Sequence, residues 1–120
     1  MTPGRELDLL IAQKIFGYGK EIRAAGPTFV ELPANIHRDK PVISPDGDLE
    51  FLKKYSTDIS AAWEVVEKME TYIFTLYQFP KKQYMAVFKY FNDDFEISEM
   101  GESAPHAICL AALKAKGVVV

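Results

Sequence analysis

Residues 71–98 read TYIFTLYQFPKKQYMAVFKYFNDDFEIS, and this stretch decides the architecture. Thr71–Phe79 is dense in aromatic and β-branched side chains, which suit a pleated, half-buried surface. Pro80-Lys81-Lys82 breaks the run, Gln83–Phe91 resumes it, Asn92-Asp93-Asp94 turns again, and Phe95–Ser98 alternates apolar with polar. Two short turns cannot carry the crossovers that parallel strands need, so the spacing predicts a three-stranded antiparallel meander. In its first strand both parities are apolar: Tyr72, Phe74 and Leu76 on one side, Ile73, Tyr77 and Phe79 on the other. A sheet that is oily on both faces calls for cover on both, which predicts an α+β, three-layer α-β-α sandwich.

The cover comes from the flanking segments. Ser103 caps a last helix, with Pro105 in its first turn and Gly117 just past its end. Ala104, Ile108, Ala111, Ala112 and Ala115 line one side of it, small enough to approach the sheet closely. Upstream, Ser56-Thr57-Asp58 opens a helix over Ile59–Met69 whose apolar residues Ile59, Ala62, Trp63, Val66 and Met69 form one stripe. Trp63, the only tryptophan, is expected to anchor a core shared by Ile59, Val66, Ile108 and Ala111. A first helix spans Pro3–Phe16, capped by Thr2, with Leu7, Leu10, Ile11 and Ile15 on one stripe and Gly17 and Gly19 stopping it.

Between Tyr18 and Lys54 the periodicity dissolves. Four of the seven prolines fall here (Pro27, Pro33, Pro41, Pro45), and Pro45-Asp46-Gly47 reads as a turn. Thr28–Leu32 suits a short edge strand, the fourth of the sheet if one exists. So long an interval reads either as a variable surface insertion or as a partner-binding or dimer-exchanging arm.

The chain has 120 residues, 48% hydrophobic and 26% charged, with a net charge of -3, which suits one soluble domain. That charge argues against a nucleic-acid binder working by bulk electrostatics. One cysteine, Cys109, leaves no internal disulfide, and it is expected to be a small buried hydrophobe. No apolar run approaches the ~18–20 residues that span a bilayer, and the amino terminus carries no export pattern. The expected setting is the cytosol, away from membranes. His106 and Cys109 share a helical face but lack further ligands at metal-site spacing, so no metal is expected. Asp46-Gly47-Asp48 with Glu50 reads as a turn, not a calcium loop. There is no phosphate-binding glycine loop and no nucleophile elbow, so no cofactor and no catalytic residue is expected. An enzyme would need His37, His106 and nearby acids to meet in one pocket.

Two features point to contacts instead. Phe91–His106 holds five acids and no lysine or arginine, either as solvated turns or as a docking surface for a basic partner. Nine aromatics lie between Tyr72 and Phe95. Should the first helix leave the second sheet face bare, three or four of them form an exposed patch of the kind that marks binding sites. Candidate contact residues are therefore Tyr18, Phe29, His37 and Arg38 from the long interval, with Tyr77, Tyr84 and Tyr90 from the sheet.

From Ser56 onward the order helix, three strands, helix resembles the double-stranded-RNA-binding domain. The basic start of that family's last helix is replaced here by Gly101-Glu102-Ser103-Ala104-Pro105-His106, which limits the likeness to topology. A second resemblance rests on three blocks. They are RELDLLIA at 5–12 running to Phe16-Gly17, YSTDISAAWEVVEK at 55–68, and APHAICLAALKA at 104–115. Together they resemble the phage ABA-sandwich domain family, small proteins of phages and prophages. This chain has Tyr18 where that family often carries tryptophan after the first-helix glycine. The resemblance implies helices on both sides of a sheet and supplies no catalytic or binding residues. It implies a phage accessory protein that binds a host protein or sequesters a small ligand such as a nucleotide signal, with self-association as a further expectation. A nucleic-acid-binding module and a structural virion protein are the alternatives.

Overall fold

The computed structural model describes residues 1–22, 32–38 and 40–119. Its elements are α1 (Arg5–Lys14), β1 (Val42–Ile43), β2 (Leu49–Glu50), α2 (Ile59–Lys68), β3 (Tyr72–Phe79), β4 (Gln83–Tyr90), β5 (Glu96–Gly101) and α3 (Ala104–Ala115). The α+β class and the order of helices and strands are those expected. β3, β4 and β5 form one antiparallel sheet in that order, with Phe74 opposite Phe88 and Phe88 opposite Ile97. β1 and β2 make a separate two-stranded ribbon.

Local chemistry sets the helix ends. The Asp58 carboxylate accepts from the Ala61 N–H at 2.8 Å, and the Ser103 hydroxyl accepts from the His106 N–H at 3.2 Å, each satisfying a donor with no intrahelical partner. α1 starts later than expected and Thr2 does not cap it. Gly4 takes the cap position at φ 145°, and its N–H donates to Ser56 Oγ at 2.9 Å. At the other end Gly17, at φ 77°, lets the Tyr18 N–H reach back to the Ala12 carbonyl at 3.0 Å.

α3 is buried continuously from Pro105 to Leu113, so it is the middle of the protein. It packs on β4 and β5, α2 lies beside it, and α1 lies against it. The Trp63 ring meets Phe74 edge-on at 5.5 Å, which puts α2 over β3 on the same side of the sheet. Leu7, Ile11, Leu52, Val65, Phe88, Ile108, Ala111 and Leu113 fill the core between them. Cover is therefore unequal. The expected shielding of both sheet faces is met on one face, and no described element lies over the other.

Two core expectations change. Ile108 and Ala111 are fully buried and Val66 is half-buried, but Trp63 is 50% exposed and Ile59 48%. α2 enters the core along Ala61, Ala62, Val65 and Met69, because its alanines let it come close to α3. The larger pair is left on the flank.

The long interval is also more ordered than its composition suggests. Pro45-Asp46-Gly47 does form a turn, closed by the Ser44 N–H on the Asp48 carbonyl at 2.7 Å. Bridges join Glu21 to Val42 and Ile36 to Lys53, and Val42, Leu52 and Tyr55 are buried. In its described part the interval is packed against the body and is not a detached arm. Phe29 and all of the expected strand except Leu32 lie outside the described residues.

Candidate functional site on the outward sheet face

Strand alternation sends one parity of β3–β5 to the helices and the other away from them. Phe74, Ala86, Phe88 and Gly101 face α2 and α3, as the Trp63 contact and the approach of Gly101 to Ala107 show. The other parity is outward. Tyr77, Met85 and Met100 stand side by side across the three strands, with Thr75, Val87 and Ser98 in the next row and Ile73, Lys89 and Glu96 beyond. Ile73 is 49% exposed and Tyr77 48%, and Phe79 and Met100 are exposed beside them.

This face carries its apolar row toward the Lys81-Lys82 turn, the mixed row of Thr75, Val87 and Ser98 beside it, and charge at both ends. Lys89 and Glu96 stand opposite each other near the Asp93-Asp94 turn, with Lys89 Nζ 3.9 Å from Asp94 Oδ1. Lys81 and Lys82 form the turn at the far end, both at positive φ. Three strands of this length present about 380 Å² in plan. Thr75, Ser98, Lys89 and Glu96 share that area, so the apolar part is at or below the ~300–600 Å² of the largest apolar patch on a typical monomer, which is often functional. Methionine and tyrosine give such a surface adaptable and amphipathic contacts.

The candidate contact residues do not gather. Tyr77 is on the outward face. Tyr84 has the opposite parity and packs against the core, which corrects its reading as a contact residue. Tyr90 is exposed at the strand end, its ring 5.5 Å from Tyr72 on the helix side. Arg38 is exposed, in the segment between Ile36, which bridges Lys53, and β1. Tyr18 is half-buried, and burial with the Glu50 carboxylate holds its phenol up to about 12. Ile73, Phe79, Met85 and Met100 are on the face although sequence reasoning did not select them. The signal available was the second apolar parity of Thr71–Phe79.

The histidines are engaged elsewhere. His37 Nε2 lies 2.7 Å from Asp8 Oδ2, and Asp8 Oδ1 accepts from the Ser56 N–H at 2.7 Å. Asp8 is fully buried, so this trio ties α1 to the long interval and to the start of α2. His106 accepts from the Glu102 N–H at Nδ1, at 3.1 Å, and its Nε2 lies 2.8 Å from the Met1 carbonyl. The two rings thus have separate partners. Cys109 is buried beneath α3's neighbours, and burial, with a lesser push from Asp8, raises its thiol well above the ordinary range. Among the described residues no three histidine, cysteine or carboxylate groups gather as metal ligands. No described helix is long and apolar enough to cross a membrane.

The model of the phage ABA sandwich domain matches residues 9–113. The chain belongs to the phage ABA sandwich domain family. A solved structure similar to this family member is the 2.0 Å crystal structure of a phage protein from Bacillus cereus ATCC 14579. The likeness has a TM-score of 0.69 at 29% sequence identity and covers 100% of this chain and 92% of the other. No curated protein matches the sequence significantly. The domain is thus a phage protein domain, and its outward sheet face is the candidate site.

Proposed function

We propose that this phage protein acts without catalysis, by binding a protein of the host cell on its outward sheet face. The observation that carries the reading is the apolar band of Tyr77, Met85 and Met100, flanked by exposed Ile73 and Phe79. Leaving such a band in water costs stability, and a binding surface is the usual reason for one. The acidic and basic ends would orient a partner of complementary charge. The separate engagement of His37 and His106 supports a binding role over an enzymatic one.

Small-ligand sequestration has weaker support. One concavity of about 350 Å³ is lined by Glu70, Thr71, Tyr90, Phe91 and Asn92, and another of about 510 Å³ by Lys81, Lys82, Gln83, Met100, Gly101, Glu102 and His106. Their one buried polar side chain, His106, is already engaged by the Glu102 N–H and the Met1 carbonyl, so neither offers several convergent buried polar groups to fix a ligand's orientation.

The test is a pull-down from host extract with the wild-type protein beside Tyr77→Lys and Met100→Lys variants. The expected result is one protein retained stoichiometrically by the wild type and lost by both variants, whose folds remain intact by circular dichroism. Retention that survives both substitutions, or a retained nucleotide in place of a protein, overturns the reading.

A further inference from the structure

The sheet has two free edges, and the protein treats them differently. At the outer edge of β5, Glu96 and Glu99 are present, and Lys114 Nζ donates to the Ser98 carbonyl at 3.4 Å. Charge and a capped carbonyl are the ordinary means of discouraging a further strand. The outer edge of β3 has neither. Its eight residues, YIFTLYQF, contain no charge, no proline and no glycine.

The register says which groups lie open. Phe91 N–H donates to the Thr71 carbonyl at 3.0 Å, so odd-numbered residues of β3 face β4 in the ladder. The N–H and C=O groups of Phe74, Leu76 and Gln78 therefore point away from it, and no described residue bonds them. Tyr72 N–H is taken by the Met69 carbonyl at 3.1 Å, so the open run begins at Phe74. At this edge Trp63 of α2, half-exposed, stands over Phe74 with its ring 5.5 Å away.

We infer that the outer edge of β3 pairs antiparallel with the same edge of a second copy, making a six-stranded sheet across a two-fold axis at Leu76. An antiparallel edge is complementary to itself under such an axis. The axis sets Leu76 against its counterpart and Phe74 against the second copy's Gln78, so all three open residues are paired. It also brings Glu70, just before each strand, toward the Lys81-Lys82 turn of the other copy, an opposite-charge contact made twice. Trp63 of both copies closes over the seam.

The area is sufficient. An edge about 27 Å long and roughly 20 Å deep through sheet and helix gives about 1,100 Å² for the pair. That clears the ~1,000 Å² expected of a specific interface. The inference goes beyond partner docking and leaves the outward face free; pairing would join two such faces into one.

The experiment is sedimentation velocity on the full chain at several concentrations. The expected result is a reversible dimer for the wild type and a monomer for Leu76→Lys, with partner retention by Met100→Lys lost but its dimer kept. Glu70→Lys should weaken the dimer at least several-fold, and adding Lys81→Glu and Lys82→Glu to it should restore association, which a merely misfolded variant cannot do. A Leu76→Cys variant should cross-link to itself on mild oxidation, because directly opposed residues sit within disulfide reach. A wild-type monomer at high concentration overturns the inference. So does a dimer indifferent to Leu76→Lys and to the charge exchange.

Discussion

Gly101 shows how one residue sets the distance between sheet and helix. A Cβ there would stand 2.5 Å from the Ala107 nitrogen and 2.8 Å from its Cα, both backbone atoms of α3. A side chain could swing aside, but here the helix itself must move. Gly101→Ala should therefore cost ~1–3 kcal/mol, toward the upper end, through strain and not through lost contacts. Urea unfolding checks this: the midpoint should fall while the slope stays unchanged. In sequence Gly101 reads as part of the connection to the last helix, since no local pattern reports a distance between segments. Asp8 was hidden for the same reason. It looks like an ordinary first-turn acid, yet its carboxylate is buried and serves partners 29 and 48 residues away.

At the scale of elements, local rules were legible and orientation was not. The caps at Asp58 and Ser103, the stop at Gly17 and the three-strand meander all follow from residues that act within a turn or two. The rotation of α2 follows from what it packs against. Its apolar residues cover more than one face, and the stripe containing Trp63 was no stronger locally than the one containing Ala61 and Val65. Close packing on α3 favoured the smaller residues. This inverts the expected order of mutational cost. Met69→Ala, at a position 2% exposed, should cost ~2–5 kcal/mol through the cavity it leaves. Trp63→Ala removes a larger ring but only half of it is buried, so about 1–2 kcal/mol is expected. Thermal or urea unfolding at dilute protein, where association does not contribute, should rank the methionine variant as the less stable.

At the scale of the whole molecule, the two apolar parities of Thr71–Phe79 were visible in the sequence, and their use was not. Periodicity shows that both faces are oily; it cannot say whether this chain or another covers the second. The packing of the long interval was equally hidden, because His37, Leu52 and Tyr55 are tied to residues remote in sequence. That packing has a consequence for pH. Burial, then the Glu50 carboxylate, raises the Tyr18 phenol to about 12, and burial pushes Tyr55 still further above its ordinary range. The unfolded chain releases both protons near pH 10. Above that pH the native state binds more protons than the unfolded state, so stability falls as pH rises. These two residues thus leave stability unaffected below about pH 10 and erode it progressively toward pH 12 and beyond. Tyr55 carries the larger share, since Tyr18 is partly open to solvent. Unfolding midpoints measured from pH 8 to 12 should be level at first and then decline. Tyr55→Phe should flatten the slope more than Tyr18→Phe, and a decline of equal steepness in both variants would place the alkaline limit elsewhere in the fold.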